Sequence, residues 1–123
     1  MNHKEFPVKI TTIAVLLMGL SATVSWAGDL PAQQAAQMHQ ELSTSMQKMH
    51  DDMHKGMMSN DPDVAFAASM LPHHIGAVEM AKTELKYGTD PQMRKLAKSI
   101  IASQDKEIKE MQEWLKAHRH SAE

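Results

Sequence analysis

Two short segments of this chain gather side chains whose lone pairs suit a soft metal cation. The first runs Met46-Gln47-Lys48-Met49-His50-Asp51-Asp52-Met53-His54-Lys55-Gly56-Met57-Met58. On a helix, side chains three or four residues apart are neighbours. Met46, His50, His54 and Met58 would form one strip, with Met49, Met53 and Met57 in a second strip beside it. The other segment is Met70-Leu71-Pro72-His73-His74, followed by Met80. Thioether sulfur is a soft, neutral donor that favours Cu(I), whereas imidazole suits Cu(I), Cu(II) and Zn(II). A mixture of the two can serve copper in either oxidation state.

A plainer reading stands beside each segment. A methionine row at helical spacing also makes a deformable hydrophobic core. His73 and His74 fall about the expected inner face of their helix. An unsatisfied polar group buried there costs about 1–3 kcal/mol. Gln104 and Glu107 could supply the missing hydrogen bonds instead of a metal. The two readings are compatible, because a ligating histidine normally donates its other nitrogen to an outer acceptor. His118 and His120, near the end of the chain, read as a frayed tail.

The helices that must position these residues are marked by their punctuation. Asp29-Leu30-Pro31, Asp61-Pro62 and Thr89-Asp90-Pro91 each supply a capping carboxylate and an early helical proline. Gly56 with Ser59-Asn60 closes the first helix, and Tyr87-Gly88 the second. The first helix places Met38, Leu42, Met46, Met49, Met53 and Met57 on one expected core stripe. The second turns Phe66, Met70, His73, Ala77, Met80, Ala81 and Glu84 or Leu85 inward, with Pro72 expected to loosen the turn before His73. The third turns Met93, Leu96, Ala97, Ile100, Gln104, Ile108, Met111 and Leu115 inward. No alternating β-branched run suggests a strand. The expected fold is all-α, an antiparallel bundle of three long helices enclosing a core. A ferritin-like four-helix arrangement would need a break in helix 1 or a second subunit.

Ahead of these helices stand Lys4 and Lys9, the uncharged run Ile10 to Leu20, and Ser25-Trp26-Ala27 before Gly28. A basic start, a short apolar run and a small-x-small site describe a secretory signal peptide. The expectation is a cleaved signal over residues 1–27 and a single helical domain over 28–123. Without Lys4, Lys9 and Glu5 the remainder holds 11 basic and 14 acidic side chains, a net charge of −3. That weak negative balance excludes the basic footprint of a nucleic-acid binder. A domain this small needs a disulfide, a metal or a partner for stability. There is no cysteine. Metal or self-association remains.

MLPHHIGAVEMAK (70–82) and DPQMRKLAKSIIASQDKEIKEMQEWL (90–115) resemble the domain of unknown function 305 family. Pro72-His73-His74, Gln104 to Ile108 and Met111-x-x-Trp114-Leu115 carry the resemblance, which spans about residues 61–115. It implies an exported, ferritin-like helical protein, in a family some of whose members bind copper and protect cells from it. It also implies that His73, His74, Met70 and Met80 are ligands. Helix 1 lies outside this stretch, so its candidate ligands rest on spacing alone. Ferritin-like bundles can also house di-iron centres, which need Glu-x-x-His pairs. This chain has none.

The functional expectation is a periplasmic, non-enzymatic copper-binding protein that sequesters or transfers Cu(I), with Cu(II) or Ag(I) as further cargo. Its expected partners are copper ions, another periplasmic copper carrier or efflux component, and a second copy of itself. Nucleic acid and membrane insertion after cleavage are not expected. Two other classes compete: a small periplasmic stress chaperone or metal sensor, and a zinc or nickel store that uses histidine alone.

Overall fold

The computed structural model describes residues 28–118, so the expected signal segment and His120 lie outside the described residues. Within them are three helices, α1 (Ala32–Met57), α2 (Pro62–Tyr87) and α3 (Pro91–His118). Their boundaries follow from local chemistry. Asp61 accepts hydrogen bonds from the amides of Asp63 and Val64, at 2.9 and 3.2 Å. Asp90 does the same for Met93 at 2.9 Å. Both carboxylates satisfy amides that a helix start leaves unpaired. At α1 the cap position is Pro31 and no side chain bonds to it, so Asp29 does not play the expected role. Arg94 reaches back from α3 to the carbonyls of Leu85 and Gly88, both at 2.9 Å, and closes the end of α2.

The chain is all-α, and its long helices run antiparallel. The expected enclosed core is absent, because α2 packs against both α1 and α3 while no Cα of α1 comes within 8 Å of α3. The molecule is therefore a layer one helix thick, with α2 in the middle. A helix flanked on two sides must be apolar or small around much of its circumference. Ala67, Pro72, Gly76, Val78 and Ala81 are accordingly its buried residues. The buried hydrophobic set of the described chain is Ala67, Val78, Ala81, Ala97 and Leu115. Several larger side chains expected in the core lie outside it. Met46, Met57, Phe66, Met80, Met93 and Leu96 are all at least 40% exposed.

The side of α1 that meets α2 explains part of this displacement. Ala35, Met38, Leu42, Ser45, Met49, Asp52 and Gly56 are less exposed than their neighbours. They alternate steps of three and four, the spacing of a coiled-coil seam. This seam overlaps the expected methionine stripe only at Met38, Leu42 and Met49. It favours small residues because the two helices approach closely at one end. A Cβ added to Gly56 would stand 2.3 Å from the carbonyl oxygen of Ala68. That carbonyl is the one Pro72 leaves without an amide partner, four residues on. A glycine thus receives the backbone that the proline frees, and Ser69 adds a hydrogen bond to the Met53 carbonyl at 3.5 Å. With these compensations α2 continues unbroken through Pro72.

At the other end of the pair, Glu41 of α1 accepts hydrogen bonds from Lys86 and from the Tyr87 hydroxyl, the latter at 2.9 Å. The Lys86 bond, then the Tyr87 bond, holds the Glu41 carboxyl below the usual range. A depressed folded-state value means the contribution is present above the unfolded value of about 4.3 and lost as pH falls through the folded one. Glu41→Gln should therefore lower the melting temperature slightly at pH 7. Its melting curve should converge on that of the wild type in acid below both values. Thermal melts across a pH series test this, and an equal deficit at every pH would count against it. Among the described residues no helix is long and apolar enough to cross a membrane.

Candidate metal centre

Antiparallel packing of α2 on α3 lays two i, i+4 pairs across a shared groove. Met70 and His74 come from α2, Glu107 and Met111 from α3, with Phe66, Ala67 and Trp114 among the other lining residues. The groove has a volume of about 660 Å³. Its remaining charged lining residues are Asp63 and Glu110, and no lysine or arginine lines it. An acidic, half-open site of this kind concentrates cations.

His74 has a fixed orientation. Its side chain is 14% exposed. Nδ1 lies 3.0 Å from the Met70 carbonyl oxygen. A carbonyl can only accept, so Nδ1 carries the hydrogen. Nε2 lies 2.6 Å from a carboxylate oxygen of Glu107. A metal cation bound at Nε2 would take the place of this direct contact. Donation from one ring nitrogen to a backbone carbonyl, leaving the other for a metal, is the usual preparation of a ligating histidine. Glu107 is 58% exposed and free to adjust its position.

The other expected ligands are distributed elsewhere. His73 is exposed and does not face a core, because it lies between the two flanks of α2 that its neighbouring helices cover. Its ring centroid is 6.1 Å from that of His74, at a 60° tilt. Met80 lines a separate groove with Met38 and His39. Met49 packs on Gly76, where an added Cβ would stand 2.5 Å from its sulfur. Met46, His50, His54 and Met57 lie exposed along α1, Met53 is half-buried, and Met58 is exposed just past the helix end. The helix-1 strips thus exist as drawn, but as a surface feature, with only Met49 and Met53 partly covered.

Met70 and His74 come together as the sequence suggested. Glu107 was foreseen only as an outer hydrogen-bond acceptor, and Met111 only as a core residue. The signal that could have found them is the same i, i+4 spacing on the facing helix. Gln104, the other expected acceptor, keeps its side-chain oxygen buried and without a partner. Among the described residues no three histidine, aspartate or glutamate side chains converge as a metal-binding group.

The sequence model for the Domain of unknown function (DUF305) matches residues 9–115. The chain belongs to this family. The DUF305 match takes in all of α1, so the Met/His strips lie inside the family's boundaries although outside the 61–115 stretch that first suggested it. A similar protein is the uncharacterized protein L153 of Acanthamoeba polyphaga mimivirus, 41% identical over 49 residues. That alignment covers 40% of this chain and 32% of L153, so the chain accounts for about a third of that relative's length.

Proposed function

We propose that this DUF305 protein is an exported copper-binding protein that holds Cu(I) in the groove between α2 and α3. The reading rests above all on His74. Its Nδ1 is committed to a backbone carbonyl and its Nε2 points into a groove lined by Met70, Met111 and Glu107. Two thioethers and an imidazole make a soft donor set for Cu(I), and the carboxylate offers Cu(II) a harder fourth ligand. Copper is cargo here, sequestered or handed on to another periplasmic carrier or efflux component. No catalytic role is assigned. The exposed Met/His strip of α1 offers weaker, open positions through which copper could be exchanged.

The test is a titration of purified protein with Cu(I) against a chromophoric chelator, with metal analysis of the protein taken from the periplasm of copper-exposed cells. The expected result is one tightly held Cu(I) per chain, with sulfur in its coordination shell by X-ray absorption. A shell of nitrogen and oxygen alone would instead support a zinc or nickel store. A second reading, a small periplasmic stress chaperone, draws on the exposed Met46, Phe66 and Met80. Suppression of client aggregation that is the same with and without copper would favour it.

A further inference from the structure

Most charged side chains that border the α1–α2 contact gather on one broad side of the three-helix layer. That side carries the α1–α2 groove lined by Glu41, Lys48, Asp52, Glu79, Lys82 and Lys86. On the other, positions seven residues apart share a helix face. Phe66, His73 and Met80 follow one another at that interval along α2, as do His39, Met46 and Met53 along α1, with His50 and Met57 beside them. Both rows belong to the same side, because Met80 lines a groove with His39 and Met38, and Asp29 and Glu84 line the same groove as the charged residues at its end. Neither row contains a lysine, arginine, aspartate or glutamate. Met46 is 40% exposed, Met57 60%, Phe66 63% and Met80 47%. The buried hydrophobic set, by contrast, is three alanines, a valine and a leucine. A domain that buries small side chains while Met46, Met57, Phe66 and Met80 stand exposed has only half of its core.

We infer that this methionine-rich α1–α2 face is where a second copy of this chain binds. The four helices of two such faces then enclose a common core, with each α3 on the outside. Size supports this occupant. Helices of 26 residues are about 39 Å long at 1.5 Å per residue. Two of them side by side, at about 9 Å spacing, present roughly 700 Å² per copy. Two copies bury roughly 1,400 Å² in total, within the range of specific, stable interfaces. An uncharged row also meets its own copy without like-charge repulsion, which a two-fold contact between identical surfaces would otherwise impose. The pairing brings His73 and His50 of both copies into one methionine-lined interface. It does not depend on the copper reading, since Met111, His74 and Glu107 lie on the α3 side.

Sedimentation equilibrium of the exported protein in the presence of a chelator should give twice the mass of its single chain, as mass spectrometry of the same sample reads it. Met46→Lys combined with Met80→Lys should return it to the single-chain mass with helical circular dichroism retained. Ile75→Lys, on the charged side, should leave the dimer intact. The His74→Ala, Met111→Leu protein should also stay dimeric, so loss of copper binding and loss of pairing are read separately. Should the lysine variant fail to fold, peroxide footprinting of the wild type decides the question. Met46 and Met80 should oxidise several-fold more slowly than Met58 in concentrated solution and catch up on dilution. A wild-type monomer, a dimer indifferent to both lysines, or protection that persists at every dilution would each overturn the proposal. The last result would mean that the face is covered from within the same chain.

Discussion

Cu(I) affinity should fall by more than about 100-fold when His74 is replaced by alanine and Met70 and Met111 by leucine. Loss of an outer-shell partner alone typically costs 10- to 100-fold in metal affinity, and this variant removes three inner donors. Leucine keeps the volume of methionine, a swap that packed sites tolerate at under about 1.5 kcal/mol. The two leucines should therefore leave the helices assembled, and circular dichroism of the triple variant checks that loss of the His74 and Glu107 bond has not unfolded them. The two methionine replacements without the histidine change separate copper from zinc. Zn(II) can use the His74 and Glu107 pair and should be little affected, whereas Cu(I) should lose most of its affinity. Copper must also replace the direct contact between His74 Nε2 and Glu107, so Glu107→Gln should change the Cu(I) affinity measured by chelator competition less than loss of His74 does. Unchanged Cu(I) affinity in the triple variant would remove the groove from consideration and return attention to the α1 strip.

The ends of the helices were readable because capping is local. Asp61 and Asp90 bond amides two or three residues away, and a neighbouring proline marks the same boundary. The direction each helix faces was harder to read, because it depends on the partner. Along α1 two rows lie side by side, one rich in methionine and one containing Ala35, Ser45 and Gly56. Hydrophobicity chooses the first as the core. Close approach of α2 chooses the second, and that approach is set by the Ala68 carbonyl, which sequence periodicity does not register. His73 was misplaced for the same reason. It lies inward if one face of α2 is buried and outward if two nearly opposite flanks are. The pairing of Met70 with His74 was visible within one helix. Its completion by Glu107 and Met111 required the α2–α3 register, which the His74 and Glu107 bond itself helps to fix.

The same close approach leads to the largest expected change in stability. Gly56→Ala should destabilise the fold by about 1–3 kcal/mol, the usual range for overpacking a fitted contact. The atoms an added methyl would meet are backbone on α2: the Ala68 oxygen at 2.3 Å, its carbon at 2.4 Å and the Ser69 nitrogen at 2.8 Å. None of them can rotate aside, so α1 and α2 must separate or slide. Separation would also break the Ser69 bond to the Met53 carbonyl and leave the Ala68 carbonyl facing a gap. Helix propensity opposes this effect, since alanine is favoured over glycine by about 1 kcal/mol in a helix interior. A net loss therefore means that the steric cost outweighs that gain. Gly76→Ala is the internal control. Its added methyl would meet only the side chain of Met49, with the sulfur at 2.5 Å, and a flexible thioether can swing away. That variant should be neutral or slightly stabilised in chemical denaturation. For a domain of this size each kcal/mol corresponds to about 4–8 °C in melting temperature, so the two variants should be clearly separated in a thermal scan. If Gly56→Ala melts at or above the wild type, the helices do not meet through backbone at this point. Gly56 would then no longer account for how α2 accommodates Pro72.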